Sequence, residues 1–252
     1  MPSIRRAIGL AMLALLTTVL LVLWQSIAPA SPSEPAPPIL PNRAHPLPKT
    51  LAQWHDRSQS GDYFARVQPT RAGYLVWSQF PVRVYVEPPE MPRSRQWMDA
   101  ALGAIEEWNT YLPLEVTERR DRADIQILSE APPLQRNQDG TLRRARSAET
   151  RYELYVRHDE SDNRAMLVQK FVIAINPTQT GDYARSALRH ELGHALGIWG
   201  HSENPDDAMY FSQRRHPAAI SPRDINTLAR IYRQPTRLGW WVSLENSGDR
   251  AN

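Results

Sequence analysis

His190-Glu191-Leu192-Gly193-His194-Ala195-Leu196-Gly197-Ile198-Trp199-Gly200-His201-Ser202 decides how this chain is read, with Asp207-Ala208-Met209-Tyr210 just after it. On an α-helix, residues four apart share a face, so His190 and His194 can aim both imidazoles at one ion. Glu191 reaches that face from the side, where it can hold and deprotonate a water. Gly197 permits the positive-φ backbone that ends a helix and turns the chain back. The reversal brings His201 toward the two helical histidines, with a water or Asp206 as the alternative third ligand. Three neutral imidazoles and an open fourth position describe a catalytic zinc site rather than a closed structural one. Ala184, Ala187, Leu188, Leu192, Ala195 and Leu196 recur at helical spacing and give the helix an apolar back to bury.

These residues, the DAMY tetrapeptide and the later ISPRDINTLARIY resemble the matrixins, zinc endopeptidases of the metzincin clan. The matrixin pattern is HExxHxxGxxHS. This chain reads HExxHxxGxxxHS, a bacterial-type variant one residue longer before the last histidine. Gly200 is the added residue on this reading, because glycine can absorb an insertion by a kink. The resemblance implies that His190, His194 and His201 bind one catalytic zinc and that Glu191 is the general base. Met209 would form an apolar floor beneath the ion. The fold it implies is α+β: a mixed twisted sheet over an active-site helix, with a Met-turn and a C-terminal helix. An extended polypeptide would lie antiparallel to an edge strand, for which residues 152–157 are the candidate. The pocket for the residue after the cut would lie between the His190 helix and residues 210–219, where His216 reads as a surface residue, with contact to substrate as the alternative.

Pattern along the rest of the chain agrees with that order of elements. Residues 80–86 alternate as a first strand, and Ser94 caps a helix to about Tyr111 with Trp97, Ala101, Ile105 and Trp108 on one face. Residues 114–117, 124–128, 152–157 and 166–176 read as further strands. Ser221-Pro222-Arg223-Asp224 supplies an N-cap, a proline at the first helical position and an acid at the third. The last helix buries Ile225, Leu228, Ala229, Ile231 and Tyr232 and stops before Pro235. The catalytic domain is placed at 74–235 and a tail at 236–252, in which Trp240 and Trp241 pack on the domain.

Ahead of the domain, Arg5 and Arg6 precede an apolar run over residues 7–27. Residues 1–28 read as a membrane anchor, or as a signal peptide cut near Ala28-Pro29-Ala30, so the bulk of the chain is extracytoplasmic. Residues 29–48 form a proline-rich spacer. Residues 49–73 are either a pre-domain that packs on the enzyme or a short pro-segment. The chain has no cysteine, so neither a disulfide nor the thiolate latency device of the matrixins is available. Asp56 or Asp62 is the substitute such a device would need.

Residues 129–151 lack the histidines and the Gly/Asp-rich loops that hold structural zinc and calcium in animal matrixins. A second zinc is therefore not expected and calcium is unsupported. Arg136, Arg143, Arg144 and Arg146 read as a solvated basic loop. A net charge of +3 without basic-aromatic repeats gives no case for nucleic acid. The expected partners are a polypeptide substrate and, through the N-terminal segment, a membrane. An inactive zinc-binding scaffold and a hydrolase of a cell-wall amide are the competing functional readings.

Overall fold

Val82, Val84 and Val86 alternate with Arg83 and Tyr85, and this alternation makes β1 (Val82–Val86) a strand with one face buried. The computed structural model describes residues 40–88, 95–142, 146–212, 214 and 217–244. After β1 come α2 (Arg95–Asn109), β2 (Leu114–Val116), β3 (Ile125–Leu128), β4 (Ala148–Asp159), β5 (Arg164–Ile175), α3 (Gly181–Ala195), α4 (Pro222–Ile231) and β6 (Trp241–Ser243). A short helix, α1 (Lys49–Ala52), precedes them. The strands form one mixed sheet in the order β2-β1-β3-β5-β4, with β6 paired to the start of β5. β2, β1, β3 and β5 run parallel, whereas β4 and β6 are antiparallel to β5. Parallel neighbours need a crossover, and α2 supplies the one between β1 and β2.

β3 buries all four of its residues because it lies between two other strands. Trp97, Ala101, Ile105 and Trp108 on α2 join the inward residues of β1, β3 and β5 in the core. The apolar back of α3 enters the same core through Ala184, Leu188, Leu192 and Ala195. At α4 the expected capping box is present: the Ser221 hydroxyl accepts from the Asp224 N–H, and the Asp224 carboxylate accepts from the Ser221 N–H. The α+β architecture expected from the sequence is the one observed.

Several boundaries differ. The strands expected at 152–157 and 166–176 are the middle and end of a longer hairpin in which Ala148–Asp159 pairs with Arg164–Ile175. Both hairpin ends extend into polar sequence such as Ala148-Glu149 and His158-Asp159, where cross-strand bonding rather than hydrophobicity holds the extended form. The first strand begins at Val82, not at residue 80. The spacer reading fails for residues 43–48. Arg43 bridges to Thr236, the His45 ring stacks on Trp240 at 3.8 Å, and Leu47 packs against the core. In the C-terminal tail, β6 adds a strand to the sheet. Residues 49–73 contain a helix and no strand among the described residues, and bury Leu51, Tyr63 and Val67. The N-terminal run, the Ser94 cap, Arg143, Arg144 and His216 lie outside the described residues.

Candidate metal centre and active-site cleft

Helical spacing puts His190 and His194 one turn apart on α3, with ring centroids 4.8 Å from each other. Gly197 then reverses the chain at φ +127°, and a Cβ there would lie 2.5 Å from the Leu75 carbonyl oxygen. Only glycine meets both demands. His201 arrives with its ring 5.2 Å from His190 and 4.9 Å from His194. One ligand atom from each of the three lies within 4.8 Å of the others, as a single ion requires. Asp206 is not part of this group, and His201 converges on the other two despite the extra residue.

Gly200 works differently from the expected kink. It does not adopt a positive φ. A Cβ on it would stand 2.3 Å from the Arg66 carbonyl oxygen, so the missing side chain makes room for a neighbouring backbone.

The tautomers follow from the hydrogen bonds. His190 Nδ1 lies 2.9 Å from the Ala208 carbonyl oxygen, and His194 Nδ1 lies 2.7 Å from that of Ile198. A carbonyl can only accept, so each Nδ1 carries a proton and Nε2 is the ring atom left to face a metal. Burial, then the neighbouring His190 and His201, hold His194 well below its usual pKa. His201 keeps part of its surface open to the cleft. Even so, burial of the rest of the ring and His190 beside it bring it down to about 4. Three converging imidazoles, two of them held neutral by burial, are a donor set zinc takes, so the residues fit the ion.

Neutrality has a consequence for the metal-free protein. Between about pH 6.5 and 4 an unfolded histidine binds a proton that folded His201 refuses. The unfolded chain then carries more protons, and falling pH favours it. Melting temperatures in chelator are expected to fall as pH drops through that window, with a shallower slope for His201→Asn. A slope equal in both proteins would remove His201 as a source.

Glu191 lies beneath the histidines, 9% exposed. Burial pushes its carboxyl above the ordinary range, against the opposing pull of His190 and of a hydrogen bond from Thr150. The Thr150 hydroxyl donates to Oε2 at 2.6 Å, which leaves Oε1 for another partner. Nothing in the sequence around Thr150 signals this contact, which exists only because β4 packs against the histidine helix.

Met209 is fully buried, and its sulfur fills the space beside Gly193, where a Cβ would come within 2.2 Å of it. The turn that carries Met209 hangs on two buried acids. Asp207 accepts from Ser202, Ser221 and Arg223. Asp224 accepts from the Ala208 N–H at 2.9 Å and from the Tyr63 hydroxyl. The sequence marks Asp224 as a helix cap, but nothing local signals its second duty at this turn. Asp56 and Asp62, the candidate latency acids, are turned elsewhere: Asp56 accepts from Ser58, Ser60 and Asn226, and Asp62 from Phe64 and Arg230.

A cavity of about 150 Å³ beside His190 and Glu191 is lined by Ala187, Tyr210, Pro217 and Ala218. Arg189 holds its far wall, donating to the Ala218 carbonyl while pairing with Glu107 on α2. A wider cleft of about 910 Å³ runs past the histidines between Arg146, Glu149 and Thr150 on one side and Gln68 and Trp199 on the other.

The matrixin family profile, a peptidase family, matches residues 79–233. This chain belongs to the matrixins. The match covers more than half of the chain and takes in β1 through α4, together with all three histidines. No curated protein matches the chain. As a matrixin it is a zinc metalloendopeptidase, and the histidine cluster fits the zinc-binding motif of the family. Residues 40–78 of this matrixin fold onto the enzyme from outside the matched region.

Proposed function

We propose that this matrixin cuts extracytoplasmic polypeptides internally, with His190, His194 and His201 as zinc ligands and Glu191 as general base. The observation that carries the reading is the convergence of three imidazoles beside a buried carboxylate with one oxygen free. Bound zinc supplies a Lewis acid that polarises the scissile carbonyl and acidifies water. Glu191 Oε1 takes a proton as the water oxygen attacks the carbonyl carbon, then gives it to the amine nitrogen as the C–N bond breaks. Thr150 holds Oε2 throughout and fixes the angle of the carboxylate. Met209 supports the histidine helix from below by filling the space at Gly193.

Substrate binding follows from the sheet edge. β4 is the last strand of its row. The Ser147 carbonyl accepts from the Asn176 N–H, so alternation turns the N–H and C=O of Ala148 and Thr150 outward. An extended peptide can add there as an antiparallel strand, closer to Glu191 than residues 152–157 are. The residue after the cut would enter the cavity beside Tyr210 and Ala218. The apolar run over residues 7–27 behind Arg5 and Arg6 supports export or anchoring. No helix among the described residues is long and apolar enough to cross a membrane, and that run lies outside them.

Elemental analysis and digestion of a mixed peptide library test the reading on the full-length chain and on His201→Ala. The expected result is one zinc per wild-type chain, internal cuts, and most of the zinc lost in the variant. Zinc without any cut peptide would turn the reading toward another amide. Full zinc in His201→Ala would remove that ligand.

A further inference from the structure

We propose that residues 63–68, which precede the matched family region, are a positioning strap for the metal centre. The strap holds the lengthened loop so that His201 reaches the other two histidines. The inference rests on the assignment of His201 as a zinc ligand.

One end of the strap is tied to the Met209 turn. The Tyr63 hydroxyl donates to Asp224, the acid that also accepts from the Ala208 N–H, and the Tyr63 N–H donates to Thr227 at 3.0 Å. The other end is tied to the loop that ends in His201. The Gln68 N–H donates to the Trp199 carbonyl at 3.0 Å. The Arg66 carbonyl and Val67 Cα lie so close to Gly200 that a Cβ there would meet them at 2.3 and 2.9 Å. Val67 between them is 5% exposed and locks the segment into the core. The strap thus joins the loop and the turn that follow the histidine helix, and it touches the loop at the residue that lengthens the family spacing.

This placement also explains why the added residue is glycine although its φ is ordinary. A longer loop has more conformations, and a hydrogen bond plus a close backbone contact remove them. A segment discarded on activation would instead strip Leu51, Tyr63 and Val67 from the core and leave Trp199 without its donor.

The test removes one N–H. Val67 before it has a ψ of 130°, the extended form that the residue ahead of a proline adopts, and a proline at residue 68 replaces the N–H with a ring carbon that pushes the Trp199 carbonyl away. Gln68→Pro deletes the donor to Trp199; Gln68→Ala keeps it and controls for the side chain. Zinc affinity is measured on the full-length chain by competition with a chromophoric chelator, alongside metal-free melting temperatures. Loss of such a supporting contact is expected to weaken zinc by at least about tenfold in Gln68→Pro and by less than about twofold in Gln68→Ala. Gly200→Ala, which must push the strap and the loop apart, is expected to match Gln68→Pro. Equal affinity in the proline and alanine variants, or wild-type affinity in a folded Gly200→Ala, overturns the strap and leaves the zinc assignment standing. A melting temperature that falls in step with zinc affinity in all three variants reduces the strap to general packing and overturns it too. A wild-type chain that binds no zinc overturns both readings together.

Discussion

Glu191→Gln is expected to lower kcat by about 10²- to 10⁴-fold while zinc content stays at that of the wild type. Glutamine has the shape of glutamate and still presents a carbonyl oxygen to the Thr150 hydroxyl, so the site keeps its geometry. What it loses is the ability to take a proton at Oε1 and return it to the leaving amine. At 1.36 kcal/mol per factor of ten, the loss is about 3–5 kcal/mol of transition-state stabilisation. The three imidazoles are untouched, and the Nδ1 atoms of His190 and His194 are held by the Ala208 and Ile198 carbonyls as before. Steady-state kinetics on one cleaved peptide, paired with metal analysis, decides the matter. A kcat within about fivefold of wild type would show that another group moves the proton.

Trp108→Ala is expected to destabilise the fold by about 3–5 kcal/mol, the usual cost of emptying a large aromatic site. Trp108 is fully buried on α2, and its Nε1–H donates to the Arg189 carbonyl on the histidine helix at 2.8 Å. Its ring edge also closes the space at Gly193, 3.1 Å from where a Cβ would stand, beside the Met209 sulfur. The cavity left behind therefore opens directly under the metal centre, and the surrounding backbone of α3 cannot collapse into it without moving His190 and His194. Against a typical domain stability of about 5–15 kcal/mol this is a large fraction. Urea denaturation of the metal-free protein measures it, and a loss under about 1 kcal/mol would mean that the site repacks freely.

The two substitutions sample different kinds of information. Glu191 is found by spacing alone, since a residue next to His190 and three before His194 has one place to be on a helix. Trp108 is found as an apolar face of α2, but its pairing with Arg189 belongs to the contact between α2 and α3. The same divide runs through the rest of the site. The capping box at Ser221 and Asp224 is local and was legible. The bonds from Asp224 to Ala208 and Tyr63 join segments far apart in the chain, and no periodicity records them. The strands run longer than their apolar patterns for a related reason. The ends of β4 are polar, and their extended form is imposed by β5 across the hairpin rather than by their own side chains. Residues 43–48 read as spacer because prolines and polar residues predict an unburied chain, whereas stacking of Arg43 and His45 on Trp240 needs a partner almost two hundred residues away.

The candidate site was legible in residue spacing: two histidines one helical turn apart with a glutamate beside the first, a glycine that turns the chain, and a third histidine after it. Those choices are local because a helix converts separation along the chain directly into direction in space. The supports of that site come from packing between distant segments. That packing placed Thr150 against the Glu191 carboxylate, brought residues 40–78 into the core, and set the Arg66 carbonyl against Gly200. Each of those contacts joins segments whose separation in sequence carries no geometric information until the sheet and helices have packed.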